Sequence, residues 1–95
     1  YELETWLNWA AVSQMAQNYD TSIEILSQGQ EFFPESSEIA YKKAGLYLLI
    51  GDKINGRIGL MKALKQNFQK LNLFQEEFPQ FSTIEWVQKL IDASK

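Results

Sequence analysis

Glu76 and Glu77 are the residues whose type and adjacency come nearest to acid–base chemistry in this chain. Paired carboxylates act as acid and base when they face one substrate together, and adjacent residues on a helix point apart instead. The chain has no histidine and no cysteine, which removes His-based triads, thiol nucleophiles, disulfides and the usual zinc ligand sets. Gly51-Asp52-Lys53-Ile54-Asn55-Gly56 lacks the spacing of a phosphate-binding loop and reads as a turn between helices. No run of carboxylates clusters in a metal-ligating pattern. The expectation is therefore no enzyme activity, no cofactor and no metal.

Charge is the next chemical resource, and it is segregated. The net charge is −3, but residues 1–40 carry −7 with no Lys or Arg, residues 41–72 carry +6, and residues 73–95 carry −2. Lys53, Arg57, Lys62 and Lys65 fall on one predicted helix. Phosphate contacts rest on such residues, but the protein is acidic and carries no recognisable base-stacking module, so nucleic-acid binding is not expected. Opposite charge on the two halves would favour head-to-tail self-association, which can propagate as open arrays. The plainer reading is that these are solvated faces, or that they support an intramolecular interface.

The elements that must position these groups follow from periodicity. At 95 residues, with 45% hydrophobic and 14% aromatic residues, the chain is long enough for one small domain with a real core. Its longest apolar run, Leu46–Ile50, falls far short of the ~18 residues a membrane span needs. No signal peptide is visible. The chain begins at Tyr1 rather than Met and is expected to be an excised or processed piece of a longer protein.

Trp6, Trp9, Ala10 and Val12 predict a helix over 4–17, with both tryptophans in the core. Asp20 or Thr21 is the expected N-cap of a second helix carrying Ile23, Ile25, Leu26 and Phe32, stopped by Pro34. Ser36 or Ser37 caps a third, along which Ile39, Ala40, Ala44, Tyr47 and Leu48 run, and Gly51 ends it in a left-handed conformation. A fourth spans 53–67 through Ile58, Leu60, Ala63 and Leu64. Its Gly56 and Gly59 each cost ~1 kcal/mol against alanine, a cost expected to permit close helix packing. Leu71, Leu73, Phe74 and Phe78 predict a short helix ended by Pro79. Ser82-Thr83-Ile84-Glu85 reads as a capping box for a last helix carrying Ile84, Val87, Leu90 and Ile91.

Small residues recur at a spacing of 34: Ala10 and Ala44, Ser22 and Gly56, Gly29 and Ala63, with Leu26 and Leu60 in the same frame. That period is the length of a helix–turn–helix solenoid unit. On these residues, with Trp6, Tyr19, Pro34, Tyr47 and Gly51-Asp52, the chain resembles the tetratricopeptide repeat family. The resemblance places repeat one at 3–36, repeat two at 37–70 and a truncated unit with a capping helix at 71–95. It departs from the family pattern at Ser13, Lys43 and Phe68, where an aromatic, a leucine and a proline are usual. It implies an all-α, helix-turn-helix solenoid: two helix pairs, a short helix and a C-terminal capping helix.

The resemblance further implies a concave groove lined by the first helix of each pair. Repeat one would supply Leu7, Asn8, Ala11, Gln14 and Met15, with Glu4 at the rim. Repeat two would supply Tyr41, Lys42, Gly45, Leu48 and Leu49, with Glu38 at the rim. Leu7, Met15, Tyr41, Leu48 and Leu49 would give apolar area, and Ala11 and Gly45 room for a ligand backbone. Asn8, Gln14 and Lys42 would orient a bound peptide or helix. Leu7 and Ala11 stand where family members that clamp a C-terminal carboxylate carry Lys and Asn, so no such clamp is expected. The function implied is a protein-interaction module of a scaffold or adaptor. The alternatives are a cap or self-association segment of a larger array, and an accessory domain of an enzyme. Residues 71–95 folding back over the groove is the competing expectation for the site itself.

Overall fold

The structure is a computed structural model describing all 95 residues, and it is wholly helical. Seven α-helices follow one another: α1 (Leu3–Met15), α2 (Tyr19–Phe32), α3 (Ser37–Leu49), α4 (Lys53–Gln66), α5 (Leu71–Glu77), α6 (Pro79–Ser82) and α7 (Glu85–Ala93), with a 3-10 turn at Phe68–Lys70. None is long and apolar enough to cross a membrane.

The first four helices form two pairs, and small residues set how closely each pair approaches. Ser22 Oγ, early in α2, donates 2.8 Å to the carbonyl of Ala10, late in α1. Gly29, late in α2, lies so close to Trp6 that a Cβ there would sit 2.7 Å from the indole Cγ. As α2 advances, its partner residue in α1 recedes, so the pair is antiparallel. In α3 and α4 a Cβ on Gly56 would meet Leu48 at 2.6 Å, and one on Gly59 would meet Ala44 at 3.4 Å, again antiparallel. A side chain at Gly56 would force Leu48 to turn aside. One at Gly59 would not displace Ala44, because 3.4 Å is an ordinary contact.

The turns within the two pairs are built alike. Gln17 takes φ 62° and Gly51, 34 residues later, takes φ 84°. In each turn the next amide reaches back to a carbonyl five residues earlier, Asn18 N–H to Ser13 at 2.8 Å and Asp52 N–H to Tyr47 at 2.8 Å. This is the Schellman closure of a helix C-terminus, which favours glycine at the left-handed position. The first pair makes it with glutamine.

Caps decide the other boundaries. Ser36 Oγ accepts from Ile39 N–H at 3.3 Å, and Asp52 Oδ1 from Asn55 N–H at 3.1 Å. Asp20 and Thr21 do not cap α2, which already starts at Tyr19. Pro79 ends α5 and also opens α6 as its first residue, where its missing N–H costs nothing. The capping box at 82–85 does not form: Ser82 Oγ donates back to Phe78 O, and Ile84 is the N-cap residue of α7.

The core runs through Leu26, Ile39, Ala44, Leu46 and Leu60 and continues into Phe74, Phe78 and Val87. It is centred on α3, which packs on α2, α4 and α5. Trp6 is in the core. Trp9, expected beside it, is 51% exposed, because no element covers that face of α1.

Candidate functional site

The face of α3 assigned to the groove is closed by the chain's own α5 and the residue after it. A Cβ on Gly45 would lie 2.2 Å from the Phe78 ring, so that ring occupies the room the missing side chain leaves. Phe74 and Phe78, four residues apart and both buried, pack with ring centroids 5.7 Å apart. Tyr41 is buried, and its hydroxyl donates 2.8 Å to the carbonyl of Asn67 at the end of α4. Burial pushes the Tyr41 phenol up to about 12. Leu48 and Leu49 are half-buried against the core. Tyr41 and Gly45 are thus structural in this fold.

What stays open is a cleft of about 190 Å³ between α1, α3 and α5, lined by Leu7, Glu38, Tyr41, Lys42, Leu73 and Glu77. One oxygen of Glu77 takes both of the neighbouring polar groups, Lys42 Nζ at 3.2 Å and Gln14 Nε2 at 3.0 Å. The Oε1 of Gln14 is buried without a donor. Along α1, Asn8 and Met15 are exposed and Ala11 is half-buried, and none of the three lines the cleft. The structure therefore brings together Leu7, Gln14, Tyr41 and Lys42, and leaves Asn8, Ala11 and Met15 on an open flank. Glu76 is exposed and takes no part in an ion pair, while Glu77 is committed to Lys42 and Gln14, so the two adjacent carboxylates face different surroundings.

Two further surfaces escaped the reading of the sequence. On the outer side of α1, Tyr1, Thr5, Asn8, Trp9 and Val12 line an open depression of about 480 Å³. Beneath it the Trp6 indole Nε1 is buried with no acceptor, between the rings of Tyr1, Trp9 and Phe32. On α4, Ile54, Ile58 and Met61 form an exposed stripe. Beside it Ile58, Met61, Lys62, Lys65 and Gln66 line a depression of about 490 Å³. The spacing of Ile54, Ile58 and Met61 was the available signal, since a helix with Gly56, Leu60 and Ala63 facing its partner turns those residues outward.

The four basic residues of α4 are all exposed and none is in a salt bridge. Lys53 Nζ lies 5.4 Å from the Trp86 ring centroid, a cation–π contact that ties α4 to α7. Lys43 is half-buried between α2 and α3 and donates 2.9 Å to Gln30 Oε1. Burial, and then the charge of Lys62, hold its ammonium below the usual lysine range. Hydrogen bonds from the side chain and backbone of Asn55 hold the Asp52 carboxyl below its ordinary value. No family model, curated protein or solved structure matches this chain.

Proposed function

We propose that this chain is a non-catalytic protein-interaction module of the tetratricopeptide kind. In this reading α1–α2 and α3–α4 are successive repeats, and α5 to α7 form the truncated end unit. The supporting observation is the pair of matched turns, with left-handed residues 34 apart at Gln17 and Gly51 and the same hydrogen-bond closure in each.

The partner segment, a peptide or a helix, lies along the strip of α1 formed by Asn8, Ala11 and Met15 and reaches the cleft at Leu7 and Leu73. Apolar contact at Leu7, Leu73 and Met15 supplies area, and Lys42 and Gln14 fix orientation at the end of the cleft. Tyr41 belongs to the core, so a groove-disrupting variant must avoid it. Asn8→Glu with Met15→Glu changes only exposed positions. A partner retained by the wild-type domain and lost by that folded double variant supports the reading. Equal capture by both removes the strip from it.

The closure of α3 by α5 and Phe78 favours a second reading, a structural cap that ends a repeat array. An intact domain that stabilises added upstream repeats but captures no partner would select it.

A further inference from the structure

The outer face of α1 has the form of a seat for a helix. In the frame of 34, Thr5, Trp9 and Val12 correspond to Ile39, Lys43 and Leu46 of α3. Those α3 residues are buried or half-buried, and α3 packs on α2. On α1 the same face has no helix over it, and Trp9 and Val12 are 51% and 65% exposed. The part of the chain that presents this face is acidic as a whole. The α1–α2 pair carries Glu2, Glu4, Asp20, Glu24 and Glu31 with no basic residue, and none of these acids has an ion-pair partner within the chain.

The matching helix is α4 of a second copy. Its stripe of Ile54, Ile58 and Met61 is exposed at 75%, 59% and 43%. It is flanked by Lys53, Arg57, Lys62 and Lys65, and α4 contains no acid. Within one molecule α1 packs on α2 and α4 on α3, so neither face can cover the other. We propose that copies of this chain associate head to tail, the α1 face around Trp9 and Val12 of one copy receiving the α4 stripe of the next. The contact is heterologous, so it leaves a free face at each end and extends into rings or filaments. Two α1 faces meeting each other would bring like charges together, and so would two α4 faces.

Sedimentation of the full chain across the micromolar-to-millimolar range tests this. The mass of the wild type rises with concentration at low ionic strength, and the association weakens about tenfold or more near 1 M salt, where the Debye length is roughly 3 Å. Val12→Arg and Ile58→Glu alter exposed positions, keep the helical circular dichroism, and each abolishes growth alone. Mixed together they form a pair that stops at two, because the first retains its α4 face and the second its α1 face. A wild type that stays monomeric throughout overturns the proposal, as does a mixture of the variants that fails to pair. Monomeric protein that binds anionic lipid vesicles through Ile58 would assign the stripe to a membrane surface and also overturn it.

Discussion

Leu46 of α3 is fully buried, whereas Val12 of α1, 34 residues earlier, is 65% exposed. Lys43 and Trp9 make a second such pair, with the lysine half-buried and the tryptophan half out in solvent. The two helices have the same length and are followed by turns of the same form. They differ in their neighbours, because α3 packs on α2, α4 and α5 while α1 packs chiefly on α2. The difference teaches that a helix does not own a buried face. Apolar area leaves water only where a second element arrives to cover it, and a side chain's burial is settled by that arrival as much as by its polarity.

The contrast is broken most severely by removing what covers α3. Phe78→Ala empties the space against Gly45 and should cost about 3–5 kcal/mol in urea unfolding. Leu46→Ala should cost about 2–5 kcal/mol, while Val12→Ala, in the same frame, should fall within about 0.5 kcal/mol of wild type. Equal costs for those two would mean that α1's outer face is covered in solution.

A smaller effect sits at Tyr41, whose hydrogen bond ties α3 to the end of α4. Tyr41→Phe removes one of two donors to the Asn67 carbonyl, which keeps Lys70 N–H at 3.2 Å, and should cost about 0.5–1.5 kcal/mol. The folded protein holds the Tyr41 proton until about pH 12, against 10.0 for an unperturbed phenol. The folded state therefore binds that proton more tightly than the unfolded chain. The associated stability is whole below the unfolded value and is lost as pH rises through the folded one. Alkaline unfolding of the Phe variant should lack this increment, and absorbance of phenolate should show one late-titrating tyrosine in the wild type. The finest test exchanges the turn residues. Gly51→Gln should destabilise by about 1 kcal/mol, and Gln17→Gly should stabilise by about 0.5 kcal/mol, as thermal melts would read.

Much of the local structure was legible in the sequence because it is fixed by short-range chemistry. Ser36 and Gly51 do what their residue types foretell, one capping a helix and the other closing one. Pro34 lies beyond the end of α2 as expected. The capping box at 82–85 failed because Ser82 is the last helical residue of α6, which shifts the start of α7 so that Ile84 takes the N-cap position and Glu85 the first turn. The groove was legible only in half. Leu7, Tyr41 and Lys42 do border one cleft and Gln14 donates to its Glu77, but the frame gave no sign that Phe78 would fill the space at Gly45. The i, i+4 pair Phe74 and Phe78 announced an apolar face without naming its receptor.

The sequence by itself determined an all-helical chain, the sites of its turns, the antiparallel fit at Gly29 and Gly56, and the separation of acid from base along its length. Those properties depend on periodicity, steric bulk and composition, which are carried residue by residue. Only the tertiary structure decided that α5 would close over α3, that Glu77 would take Lys42 and Gln14, and that Trp9 and the α4 stripe would remain outside. Each of these depends on which surfaces meet across a long stretch of chain. That choice is made by the competition among apolar faces for a limited number of neighbours, and no single segment contains it.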